Sequence, residues 1–137
     1  AVVRQILTDS RWKTVIKSTI NASAPNNSSG ITILDASDLL GWVAGSIPQL
    51  AEIKWSVSVS TKLTWGGTGG TEVLHFDGNG SYGGSDGMPG LRCTATAGAG
   101  KGDLNMTCAN AGVGTLVIVY HKVETTVGHG DGWTANA

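Results

Sequence analysis

Charge is scarce in this chain. Asp, Glu, Lys and Arg make up 14% of its 137 residues, against about 25% in an ordinary soluble domain. The nine basic and ten acidic residues are spread along the length, with a formal net charge of −1. No basic stripe is available to track a phosphate backbone and no polybasic cluster to hold anionic lipid, so nucleic acid and membrane surface are not expected as partners. Long apolar runs are also missing. The longest, residues 113–120, is strand-sized, far from the roughly 20 residues that cross a bilayer as a helix. The first residues lack the basic-then-apolar pattern of a leader, and an Ala start is what removal of an initiator Met would leave. Aromatic residues are few: one Phe, two Tyr and five Trp.

Gly fills much of the remaining composition, with 21 residues, and Thr, Ser, Val and Ile are plentiful. The apolar stock is therefore largely β-branched, which suits pleated sheet and excludes a helical bundle. Too few charges are present for a coiled coil, a 40% hydrophobic content is too high for disorder, and Gly has no collagen period. The length fits one domain.

Residues 2–7 read as a short strand or arm, followed by a turn at Thr8-Asp9-Ser10. Residues 13–20 alternate as a strand, and residues 21–30, without apolar periodicity, form a loop. Asp35 caps at most one short helical turn before Gly41. The clearest strand is residues 50–60, where Ile53, Trp55, Val57 and Val59 face one way and Lys54, Ser56, Ser58 and Ser60 the other. Residues 62–65 and 71–77 flank a Gly-rich hairpin connection, residues 78–90 read as turns, and residues 113–123 form a last long strand. With seven to nine short strands and no alternating helices, the fold class expected is all-β, a single antiparallel β-sandwich of jelly-roll type. The division expected is an N-terminal strand or arm over 1–12, the sandwich over 13–127 and a tail over 128–137. The core is expected to hold Ile53, Trp55, Val57, Val59, Leu74, Phe76, Leu116 and Ile118.

Motifs with chemistry are few. Gly78-Asn79-Gly80-Ser81-Tyr82-Gly83 matches a dinucleotide fingerprint, but no helix can follow to face a pyrophosphate. Asp77 to Ser81 starts like a calcium loop, yet Tyr82 and Met88 stand where Gly and Glu belong. His129-Gly130-Asp131 is the closest pair of metal-ligand types, short of the three or four that zinc needs. Glycosylation triplets begin at Asn21, Asn26, Asn27, Asn79 and Asn105, at a frequency that composition explains. No catalytic constellation, cofactor or metal is expected. Cys93 and Cys108 lie on the arms of a hairpin that residues 92–97 and 103–109 could form. Placed opposite each other they are expected to bond, with two buried free thiols as the alternative. Trp12, Trp42 and Trp133 fall outside the clear strands, as subunit anchors or as a stacking platform for sugars.

Residues 1–17 (AVVRQILTDSRWKTVIK), 33–39 (ILDASDL), 53–57 (IKWSV) and 119–124 (VYHKVE) together resemble the small virion structural proteins of tailed bacteriophages. That resemblance implies a β-rich, non-enzymatic protein present in many copies on a phage particle assembled in the host cytoplasm. Its partners would be major capsid or neck and tail proteins and further copies of itself. A head decoration protein is the first reading. A neck, collar or tail-associated protein, or a carbohydrate-binding or adhesin module, is the alternative. Within the first reading, Val3, Ile6, Leu7 and Trp12 are expected to contact neighbouring subunits, the alternative being that residues 1–12 are an ordinary first strand of the sandwich.

Overall fold

The structure, a computed structural model, describes residues 2–20, 31–43, 46–109, 112–124 and 132–133. Eight strands follow in chain order: β1 (Val2–Asp9), β2 (Lys13–Ile20), β3 (Ile31–Leu34), β4 (Ile47–Trp65), β5 (Glu72–Gly83), β6 (Leu91–Arg92), β7 (Leu104–Cys108) and β8 (Gly114–Glu124). All pairings between them are antiparallel. The all-β expectation holds, in the form of one continuous sheet that rolls nearly into a barrel, in the order β1-β2-β8-β4-β7-β3.

β4 organises the roll. It is 19 residues long, and the face read from its alternation continues past residue 60: Ile53, Val57, Thr61, Leu63 and Trp65 are buried, while Trp55 and Val59 are partly buried. Along one edge it pairs first with β8, from Ile47↔Glu124 to Val57↔Gly114, and then with β7, from Thr61↔Cys108 to Trp65↔Leu104. Along the other edge it pairs with β6 and then β5. The register shifts at Leu50/Glu52 and Val57/Thr61, and irregularities of this kind bend a strand and increase its twist.

Of the expected core residues, Ile53, Val57, Phe76, Leu116 and Ile118 are buried, and Trp55, Val59 and Leu74 pack partly buried against them. Tyr120 is fully buried and donates its hydroxyl to Gly102 O at 2.8 Å. Trp133 meets it edge-on with ring centroids 5.9 Å apart and donates its indole N–H to Ile47 O. The stretch expected to be a tail thus contributes a core aromatic. Asp35 caps a single 3-10 turn, Ala36–Asp38, as expected, and a second such turn covers Gly84–Asp86. The Gly-x-Gly-x-x-Gly run lies inside β5 instead of in turns. A Cβ on Gly80 would come within 2.6 Å of the Trp55 ring, so glycine there lets the indole lie flat on the neighbouring strand.

Candidate functional site

β1 sits at one end of the strand order, paired with β2 alone among the described residues. Every side chain described from Val3 to Asp9 belongs to an exposed residue. Val3 is 64% exposed, Ile6 51%, Leu7 48%, and Trp12, just past the strand, 53%. Four of the expected interface residues therefore lie on the surface within ten positions. Between Ile6↔Ile16 and Thr8↔Val15 the register shifts, leaving Leu7 as an extra, bulged residue. Across the seam toward β3, Arg4 Nη1 donates to Thr32 O at 2.7 Å. The main-chain groups on the outer edge of such a strand are available for another strand to pair with.

The root of this strand is fastened. Lys122, on β8, is buried, and its ammonium donates to Asp9 Oδ1, to Ser10 O at 2.6 Å and to Leu40 O at 2.7 Å. Those bonds use all three of its N–H donors. The Trp133 ring lies 5.3 Å from Nζ. Asp9 in turn accepts from Thr14 Oγ1 and from Leu40 N through its two oxygens, 3.0 Å each. Burial pushes the Asp9 carboxyl up, but Lys122, the Leu40 amide and the Thr14 hydroxyl outweigh it and hold the carboxyl below its usual range. Burial pulls the Lys122 ammonium down, with Asp9 opposing. Alternation along β8 carries the signal for this residue: Leu116, Ile118 and Tyr120 point inward, and Lys122 and Glu124 continue the same parity.

The cysteine expectation is corrected. Cys93 and Cys108 are both free thiols. The proposed hairpin does not form, because residues 91–92 extend the edge of β4 at Gln49 and Leu50 while β7 pairs much farther along it, with Cys108 opposite Thr61. Cys93 N donates to Pro48 O. Burial raises both thiols above their ordinary value, which disfavours the reactive thiolate. Alkylation after denaturation without reductant is therefore expected to label both thiols, and intact mass checks it.

The five Trp residues separate cleanly. Trp65 and Trp133 are buried, Trp55 packs on Phe76 at 4.8 Å, and Trp12 is exposed beside β1. Trp42 is partly buried and, with Asp35, Ser37 and Ser46, lines a cleft whose other lining residues fall within 96–103. Asn79 and Asn105 are both engaged by hydroxyls, from Ser56 and Thr32. Asn21, Asn26, Asn27, His129 and Asp131 lie outside the described residues. Comparison of the chain with family models, with curated proteins and with solved structures returns no match.

Proposed function

We propose that this chain is a non-enzymatic structural protein of a tailed-phage particle, a head decoration protein held in many copies on the capsid, and that β1 makes the attachment. The observation that carries the reading is an edge strand whose apolar side chains Val3, Ile6 and Leu7 stand in water while its root is fixed by Lys122. An isolated domain gains nothing from that exposure, whereas a neighbour that pairs with β1 gains main-chain hydrogen bonds and buries those side chains together. Each contact is modest, and repetition over a shell multiplies it. The resemblance of residues 1–17 and 119–124 to phage virion proteins covers both the strand and its anchor.

The test is co-sedimentation of the full chain with capsids assembled from the major capsid protein of the same phage. Saturable binding of many copies per shell is expected, and the double variant Ile6→Asp/Leu7→Asp is expected to lose binding by about a hundredfold or more with its melting temperature kept. A chain that stays in the supernatant overturns the decoration reading. Binding that the double variant leaves intact overturns the role of β1.

A further inference from the structure

We propose that the cleft lined by Trp42 is a binding site for a neutral saccharide. One wall is the segment that carries Asp35, Ser37 and Trp42, and the other is the loop 96–101, with Asp103 at its base. The cleft encloses about 600 Å³, within the range of small-ligand sites and too roomy for a lone ion.

Sugars are recognised by an aromatic face against their C–H groups and by fixed polar groups at their hydroxyls. Both are present. Trp42 rests partly against the core, and its remaining surface lines the cleft. Asp103 Oδ1 is held by Ala36 N–H at 2.8 Å. Asp35 Oδ1 is held by Ser37 N–H at 3.1 Å and by the Ser37 hydroxyl at 2.7 Å. Both carboxylates are thus set before any ligand arrives, so little ordering cost falls on binding.

Between Thr96 and Lys101 the opposite wall presents Ala97, Gly98, Ala99 and Gly100, whose side chains are no larger than a methyl, and its backbone is held in place by bonds from Thr68 N–H to Ala97 O, Lys101 N–H to Gly98 O and Asp103 N–H to Gly100 O. Gly100 has φ +81°, and a Cβ there would lie 3.4 Å from Asp103 Oδ2. A side chain at that point would cover the carboxylate.

The charge selects among sugars. Asp35 and Asp103 line the cleft against the single cation Lys101, with Asp38 close by. Burial, and then Asp35 and Asp38, raise the Asp103 carboxyl above its usual value, the Ala36 amide opposing. The local field is therefore negative, which repels sialylated, sulfated or phosphorylated ligands and accepts neutral hexoses and N-acetylhexosamines. This inference does not depend on what β1 attaches to.

The experiment is an NMR titration of the full chain with ¹⁵N-labelled tryptophan, reading the indole N–H signals. The probes are lactose, maltotriose, cellotriose and N,N′-diacetylchitobiose, with 3′-sialyllactose and a short oligolysine as competitors of other chemistry. At least one neutral probe is expected to shift the Trp42 signal saturably while the Trp12 and Trp65 signals stay in place. Asp103→Asn should weaken that probe by about tenfold. Ala99→Phe, on the exposed rim, should block it with the other indole signals unchanged, which shows that the fold is kept. The proposal fails if no neutral probe gives a saturable shift, if Ala99→Phe binds as well as the parent chain, or if only oligolysine or sialyllactose moves Trp42.

Discussion

β1 and β2 are eight residues each and lie side by side from Val2↔Ile20 to Asp9↔Thr14. β1 has the richer apolar content, with Val2, Val3, Ile6 and Leu7 against Val15, Ile16 and Ile20. Yet β2 alternates between buried and partly buried positions, with Ile16 3% and Ile20 2% exposed, while Ile6, directly opposite Ile16, is 51% exposed. The difference is position in the sheet. β2 has β1 on one edge and β8 on the other, so its inward face meets the core formed by Leu116 and Ile118. β1 closes the row, with no strand paired beyond it among the described residues. Apolar content says that a strand can be buried; its neighbours decide whether it is.

The sharpest way to break this comparison is to place the same charge on both members of one cross-strand pair. Ile16→Asp puts a carboxylate into the core and is expected to prevent folding, since a cost above about 4 kcal/mol approaches the whole stability of a small domain. Ile6→Asp, across from it, is expected to cost under about 1 kcal/mol. Urea unfolding followed by tryptophan fluorescence measures both, and similar midpoints would show that β1 belongs to the core.

Next in size is the root of β1. Lys122→Ala takes the ammonium from the Asp9 carboxylate, which keeps the Thr14 hydroxyl and the Leu40 amide, takes that donor from the Ser10 and Leu40 carbonyls, and empties a buried position. It is expected to cost about 3–5 kcal/mol, read from the same unfolding curves. A loss under about 1 kcal/mol would mean that Asp9 and the carbonyls turn to water, and that β1 is not fastened.

The same anchor gives a pH dependence whose sign follows from Asp9. Its carboxyl is depressed in the folded state, so the stability it contributes is fully present above the unfolded value of about 3.9. That stability is lost as pH falls through the lower folded value. The stability gap between the parent chain and Asp9→Asn is therefore expected to shrink in melts taken from pH 5 down toward ~2, the acid limb of such linkage. A constant gap would assign the effect to packing.

The smallest effect lies away from β1 and has the opposite sign. The Asp103 carboxyl is raised in the folded state, so its contribution worsens as pH rises through its titration. Asp103→Asn keeps an acceptor for Ala36 N–H and is expected to be neutral or to stabilise by up to about 1 kcal/mol at neutral pH. The difference should fade in acid, as melting curves at the two pH values would show.

Much of this architecture is legible in the order of residues. Period-two alternation marks β2, the inward face of β4 from Ile53 and the parity of β8, because side chains of successive residues point to opposite faces whatever the tertiary setting. The Asp35 cap is local and equally readable. What alternation cannot carry is which strand lies beside which. The mirror placement of Cys93 and Cys108 is a local pattern, and it loses to β4, which pairs with residues 91–92 near its start and with β7 near its end. Trp133 has no strand pattern around it, and its placement depends on Tyr120 and on Ile47, the latter 86 positions earlier in the chain. At the candidate sites, the apolar residues of β1 stand out in sequence, but their exposure does not. The Trp42 cleft joins segments some sixty residues apart, and no local signal connects them.

The fastening of Asp9 to Lys122 also settles how load would travel if β1 tethers the protein to a larger body. A pull on the outer end of β1 opens its ladder with β2 as a zipper, one pair at a time from Val2↔Ile20, a geometry of low mechanical resistance. At Asp9 that route ends. There the force passes through the carboxylate to Lys122 on β8, a strand paired on both edges by β2 and β4, and further opening requires breaking the bonds from this buried ammonium to Asp9 and Ser10 together with the one from Leu40 N–H to Asp9. A protein tethered in this way would be compliant over the first few residues of its attachment and stiff beyond them, a leash with a stop, and each copy would adjust to an uneven surface without exposing its core.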